Sequence, residues 1–302
     1  MSEYVLLIVG ATGQQGQAVI AALHNFPAKR SPVRILALTR SVSSPKSKAL
    51  QEKYPEITLV EGNMKSPGPL FQTTQNISAI FLVTVPGHEE AQAIPLIDAA
   101  TTPDSKVQHI VFSSVDRGGD QASWTNPTTV PHFASKHRIE LYLCDACKRS
   151  GKQWTILRPT GFMDNYNPGF FGSMMASLWK AGLPPQRTMQ LVSTHDIGVV
   201  AAKALLYPEQ LANRAVGLAG DELTFGEACD VFKRVLGREM PQTWSFIAKG
   251  VIWWIEEART SFEWFDRVGM QVDIQSLRHE APEVQTFERW LRESSGWKDQ
   301  IK

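Results

Sequence analysis

Three glycines, Gly10, Gly13 and Gly16, stand directly behind the apolar run Val5–Val9. In that setting each does a different job for a bound phosphate. The first permits a tight turn out of a strand, the second lets a pyrophosphate approach the backbone, and the third lets the following helix pack closely. A helix opening at this point presents free N–H groups and a positive dipole end to an anion. The loop Gly10-Ala11-Thr12-Gly13-Gln14-Gln15-Gly16 therefore reads as the phosphate cradle of a dinucleotide site, spaced G-x-x-G-x-x-G. A glycine-rich turn without a ligand is the alternative, and the flanking strand and helix patterns favour the site.

Cofactor choice is set at the end of the second strand, where NAD sites place an acid against the ribose hydroxyls. The second apolar run ends in Thr39-Arg40, with Lys46 and Lys48 close behind. A guanidinium there suits a 2′-phosphate, which it can grip through two parallel hydrogen bonds. This predicts NADP(H) as the preferred cofactor, with NAD(H) left open. Asn63-Met64 after the third strand would border the adenine, and Thr84-Val85-Pro86 after the fourth would flank the nicotinamide-side ribose. Both lie at C-terminal strand ends, where open α/β sheets bind ligands.

These residues need a scaffold, and the first half supplies one. Short apolar runs at Tyr4–Val9, Val33–Thr39, Ile57–Glu61, Ala79–Val83, His109–Ser113 and Trp154–Arg158 read as strands. Gly16–His24, Glu89–Ala100 and Phe133–Ser150 read as helices between them, the middle one despite Pro95. Near-continuous apolar strands alternating with helices predict an α/β fold, a Rossmann-like doubly wound parallel sheet. Ser41–Lys48 and Gly118–Pro131 read as loops.

The second half is less regular. Trp179, Trp244, Trp253, Trp254, Trp264, Trp290 and Trp297 all fall there. Phe246–Val268 reads as an aromatic helix or helix pair, and Thr224-Phe-Gly-Glu227 as a capping box opening a helix to Leu236. Most of these rings are expected in the core of a smaller, mainly helical lobe; a pocket wall or a dimer face is the alternative. The predicted division is a dinucleotide-binding domain over 1–158 and a C-terminal lobe over 159–302, interleaved with the first rather than independent.

The order of several short motifs resembles the NmrA-like branch of the atypical short-chain dehydrogenase/reductase superfamily. They are the glycine loop, Ser113-Ser-Val-Asp116, Pro131-His-Phe-Ala-Ser-Lys136, Leu157-Arg-Pro-Thr-Gly-Phe-Met-Asp-Asn165 and His195-Asp-Ile-Gly198. The resemblance spans almost the whole chain. It implies a Rossmann domain with a smaller substrate region, and either NADP(H)-dependent reduction of small molecules or redox-sensing regulation of a protein partner. Superfamily members use Tyr-x-x-x-Lys with an upstream Ser, so Ser113 and Lys136 would face the cofactor, Lys136 on its ribose. This chain has His132 where that tyrosine would stand. His132 could pass a proton, since imidazole titrates near pH 6.5; a helix-start residue bonded to its own loop is the alternative. Phe162, Asn165 and Tyr166 would stand near the nicotinamide, with Tyr166 a second proton-donor candidate. Asp196 reads as a helix N-cap.

Composition excludes several classes. The chain has 302 residues and a net charge of +1, which argues against direct nucleic-acid binding. Three cysteines form no disulfide framework. Cys144-Asp-Ala-Cys147 has redox spacing but lies inside a predicted helix, away from the helix start that lowers a thiol pKa, so both thiols and Cys229 read as packing residues. No metal-ligand spacing is present. Met1-Ser2-Glu3-Tyr4 lacks a basic stretch, and Val5–Val9 is too short for a signal peptide or a membrane span. The expectation is a cytoplasmic protein, nuclear as an alternative, acting as a monomer or homodimer. It would be an NADPH-dependent oxidoreductase for a small organic carbonyl or enone, or else a non-catalytic NAD(P) sensor that binds a transcription factor or signalling protein.

Overall fold

Each apolar run of the first half becomes a strand; His109–Ser113 is buried along its whole length, while Thr58–Glu61 stays partly exposed. The computed structural model describes residues 3–26, 32–74 and 76–301. In chain order the elements begin β1 (Tyr4–Ile8), α1 (Gln14–Asn25), β2 (Val33–Thr39), α2 (Pro45–Lys53), β3 (Thr58–Glu61), α3 (Gly68–Thr73), β4 (Ile77–Leu82), α4 (Glu89–Thr101), β5 (His109–Ser113), α5 (Asp120–Thr125), α6 (Pro131–Ser150) and β6 (Gln153–Pro159). They continue β7 (Gly161–Phe162), α7 (Phe170–Gly182), β8 (Met189–Val192), α8 (Thr194–Leu206), α9 (Pro208–Leu211), β9 (Arg214–Leu218), β10 (Asp221–Leu223), α10 (Phe225–Leu236), α11 (Ser245–Trp254), α12 (Glu256–Arg267), α13 (Ile274–Glu280) and α14 (Phe287–Glu293).

The chain forms two compact units. Unit 1 comprises Met1–Ser114, Ser135–Arg158 and Ile197–Val216; unit 2 comprises Val115–Ala134, Pro159–Asp196 and Gly217–Lys302. Unit 1 is built on a seven-stranded sheet of order β3-β2-β1-β4-β5-β6-β9, with β1 to β6 pairing in parallel. The order reverses between β1 and β4, which is the switch point where doubly wound sheets open a crevice. Two contacts in unit 1 hold its helices in register. Gly198 of α8 lies so close to α1 that a Cβ there would stand 2.5 Å from the carbonyl carbon and oxygen of Ala18. Arg158 on β6 pairs with Glu140 on α6 at 2.8 Å, both essentially without solvent exposure. The Gly and Arg of the two C-terminal motifs thus serve packing.

Unit 2 is mainly helical, with a three-stranded sheet β10-β8-β7 that the sequence pattern did not reveal. Strands this short carry too little periodicity to read. Its core gathers Met163, Tyr166, Trp179, Phe232, Phe287, Trp290 and Trp297. The capping box at Thr224 and Glu227 is present, and α10 ends at Leu236 as expected. The aromatic segment is a helix pair, α11 and α12.

Three expectations need correction. Ser41–Lys48 is a loop only to Ser44, because Ser44 caps α2 by accepting from Ser47 N and Pro45 fits its first position. Gly118–Pro131 contains the short helix α5. Asp196 does not cap α8: Ser193 Oγ accepts from Asp196 N at 3.0 Å, and Asp164 Oδ2 accepts from Thr194 N at 2.7 Å. The Asp196 carboxylate instead receives Gln285 N at 3.0 Å. Most of the late tryptophans are covered, as expected: Trp179, Trp264, Trp290 and Trp297 are buried, whereas Trp244, Trp253 and Trp254 are exposed.

Candidate dinucleotide-binding site

The C-terminal ends of β1 to β5 bring most of the predicted cofactor residues to one edge of unit 1. Gly10 turns out of β1 with φ +66°, a left-handed conformation suited to glycine. A Cβ on it would lie 2.7 Å from Val83 Cγ1, just past β4. Gly13 N donates to Gly10 O at 2.9 Å and closes the turn. Gln17 Nε2 donates to Thr12 O at 3.0 Å and steadies it. Gly16 is the most constrained, since its Cβ would stand 2.2 Å from Gly10 O. Gly13 is exposed and extended at the N-cap of α1, so no side chain occupies the helix dipole end. A close-packed turn before an uncapped helix start is what a pyrophosphate requires.

The neighbouring strand ends differ in character. Thr39 is buried, its hydroxyl 3.0 Å from Ser47 Oγ, and supports the loop from beneath. Arg40 is exposed, as are Lys46 and Lys48. Glu61 at the end of β3 lies in register with Thr39, and its Oε2 accepts Val42 N at 3.0 Å. Asn63 is exposed and accepts Lys65 N through Oδ1 at 2.9 Å; Met64 is half-buried. After β4, Val85 and Pro86 are exposed, and the Gln92 side chain clamps the Val85 backbone through N and O at 3.1 and 3.0 Å.

The fit to a dinucleotide has a further mark. Thr84 Oγ1 and Glu89 Oε1 are buried side-chain atoms with no hydrogen-bond partner among the described residues. Glu89 Oε2 accepts Gly87 N at 3.1 Å. Buried polar atoms are ordinarily satisfied. Two such atoms on the β4–α4 loop suit a ligand that brings hydroxyl groups. Sequence reasoning missed Glu89, because an acid in the first turn of a helix already has a reason to be there.

On β5, Ser113 is fully buried and its hydroxyl lies 2.5 Å from Gln15 Oε1, joining the glycine loop to the strand end. Lys136 Nζ donates to Ser113 O at 2.9 Å and lies over the Phe112 ring. That contact fixes the ammonium at the C-terminal edge of the sheet. Glu140, one turn farther along α6, secures the helix through Arg158.

The other candidates belong to unit 2. His132 Nδ1 lies 2.7 Å from Glu257 Oε1 on α12, and its neighbour Phe133 packs edge-on against Trp264. Glu257 carried no sequence signal, since only the fold brings it to the imidazole. Tyr166 stands inside the aromatic core between Trp179 and Phe287, and burial pushes its phenol pKa upward. Phe162 is half-buried on β7. Burial also raises the thiols of Cys144 to about 12 and Cys147 to about 11, the opposite of an activated dithiol. Among the described residues, no cluster of three or more His, Cys, Asp or Glu could hold a metal, and no helix is long and apolar enough to cross a membrane.

The NmrA-like family model matches residues 2–291. The chain belongs to the NmrA-like family. This member is 27% identical over 238 residues to a (4-alkanoyl-5-oxo-2,5-dihydrofuran-3-yl)methyl phosphate reductase of Streptomyces griseus, covering 78% of this chain and 75% of the relative. Among solved structures, the NmrA-like chain is similar to the Citrobacter sp. triphenylmethane reductase complexed with NADP(H), with a TM-score of 0.69 and 18% identity, covering 99% and 100% of the two chains. It is equally similar to NmrA, a negative transcriptional regulator, in complex with NAD, with a TM-score of 0.70 and 18% identity over 98% and 96%. The proteins it resembles thus include ones named as reductases and one named as a regulator.

Proposed function

We propose that this chain binds NADP(H) at the Gly10–Gly16 edge of unit 1 and acts as an NADPH-dependent oxidoreductase on a small organic carbonyl or enone. The observation that carries the reading is the uncapped start of α1 behind a turn that only glycine fits at Gly10 and Gly16. Arg40 is assigned to the 2′-phosphate, Thr84 and Lys136 to the nicotinamide-side ribose, and Asn63 and Met64 to the adenine side. The bound nicotinamide supplies hydride; the protein supplies position, electrostatics and a proton. His132, held by Glu257, is assigned the proton. Tyr166 is not, because a phenol in an aromatic core is a poor donor at neutral pH. The reductase names among the relatives support the same reading.

A screen of carbonyls and enones with NADPH, followed by nicotinamide absorbance, tests it. Tight NADPH binding without turnover on any of them would refute the catalytic half. One observation favours a second reading, a cofactor-sensing regulator: His132 occupies the place of the superfamily tyrosine, and the similar NmrA is named a regulator. A sensor requires a partner whose affinity differs between cofactor states. Partner capture in NADP⁺, NADPH and NAD⁺ would therefore give different yields, and equal yields would remove this reading.

A further inference from the structure

Unit 2 carries an aromatic surface that its own core leaves uncovered. Trp244, Phe246, Trp253 and Trp254, on and beside α11, are 73%, 67%, 71% and 78% exposed. Phe170 and Phe171, at the start of α7, are 71% and 61% exposed. The two helices are tied together: Thr243 N donates to Ser177 Oγ at 2.8 Å, and Lys180 Nζ donates to Gln242 Oε1 at 3.0 Å. Ala248 is the fully buried residue of α11 and marks its inner face. The rings are already ordered in pairs, Trp244 stacked on Phe246 at 5.8 Å and Trp253 edge-on to Trp254 at 4.7 Å.

The size of this surface is informative. An aromatic side chain buries about 150–250 Å² when covered. At these exposures the six rings offer about 600–1,000 Å². That is at or above the largest apolar patch of an ordinary monomer, about 300–600 Å², and it matches the roughly 800 Å² each partner contributes to a stable interface. The charges around it choose the occupant. Lys180, bonded to Gln242, and Lys249 are exposed on α7 and α11, and the exposed Glu256 and Glu257 follow Ile255 at the start of α12. A lipid-docking helix carries a one-sided basic rim, whereas a surface that meets itself needs both signs. The net charge of +1 gives two copies little mutual repulsion.

We propose that this chain forms a two-fold homodimer through the α7 and α11 aromatic face of unit 2. The proposal does not depend on the cofactor reading. Sedimentation velocity of the full chain, without added nucleotide, between about 1 and about 100 μM tests it. A dimer is expected within that range. Trp254→Glu and Phe170→Glu should each weaken it about thirtyfold or more, as a central interface residue does, with an unchanged melting temperature at concentrations where both chains are monomeric. A monomer throughout, or a dimer indifferent to both substitutions, overturns the proposal. So does a monomer that pellets with phosphatidylcholine–phosphatidylserine vesicles. Should the variants fold poorly, lysine cross-linking of mixed ¹⁴N and ¹⁵N wild-type chains decides the matter: mixed-isotope links through Lys249 or Lys180 support the dimer, and mixed links confined to other lysines overturn it.

Discussion

Replacing Arg40 with Ala tests its proposed grip on the 2′-phosphate, the group that separates the two nicotinamide cofactors. Arg40 is exposed, so its removal leaves no buried cavity or charge behind. A guanidinium about 4 Å from a unit negative charge gains about 1 kcal/mol in water and about 4 kcal/mol near a protein surface. Exposure places Arg40 toward the lower end, at about 1–2 kcal/mol, which is roughly a 5- to 30-fold loss of NADPH affinity. NADH lacks the 2′-phosphate and should bind the variant as it binds the wild type. Arg40→Lys keeps the charge and loses the planar fork, so its effect should be intermediate. The contribution should shrink as salt rises past about 0.1 M, where the screening length is about 10 Å. Titration of nicotinamide fluorescence with NADPH and NADH at two salt concentrations gives all of these numbers. If both affinities fell together, Arg40 would be acting on loop structure. If neither changed, the 2′-phosphate would lie elsewhere.

Four further outcomes are expected. Gly16→Ala should lower NADPH affinity more than tenfold by calorimetry, because its Cβ would have to displace the Gly10 carbonyl from 2.2 Å. Glu89→Gln should weaken NADPH about tenfold and leave 2′,5′-ADP unchanged, since its unsatisfied Oε1 shares the β4–α4 loop with Thr84, which is proposed for the nicotinamide-side ribose; equal losses for both ligands would mean a damaged loop. Glu140→Gln strands Arg158 without its carboxylate and should cost about 3–5 kcal/mol in denaturant unfolding, while Glu140→Leu with Arg158→Met together should be near neutral. Burial lowers His109 to about 4, against backbone contacts at Trp154 and Ala204 that raise it. Between that value and about 6.5 the unfolded chain binds a proton that the folded chain refuses, so stability falls as pH drops across this window. His109→Gln should flatten the pH profile of the melting temperature there.

The parts of the site legible in the sequence are those whose cause is local. Gly10, Gly13 and Gly16 follow from one turn, and β5 and β2 from runs of buried residues. The capping box at Thr224 is a four-residue signal and appears where it was expected. Ser44-Pro45 carried an equally local signal for α2, yet the polar residues after it suggested a loop. Glu257 beside His132 and the Glu140–Arg158 pair join distant segments, and no spacing rule announces them. The tryptophans show the same limit. Composition required that such rings be covered, but which of them unit 2 covers depends on the face each helix turns inward, so Trp290 is buried and Trp254 is not.

The path of the chain also sets a schedule. It passes from one unit to the other after Ser114, Ala134, Arg158, Asp196 and Val216. The phosphate loop is finished by residue 16, but α1 rests on Gly198 and the sheet is completed by β9 at Leu218. At about 5–20 residues per second, roughly 10–40 s of synthesis separate the glycines from their last support. During that interval the nascent chain has the cofactor motif without the assembled platform behind it. A gene cut after Arg158 would make this state permanent, leaving the glycine loop without Gly198 behind α1 and the sheet without β9.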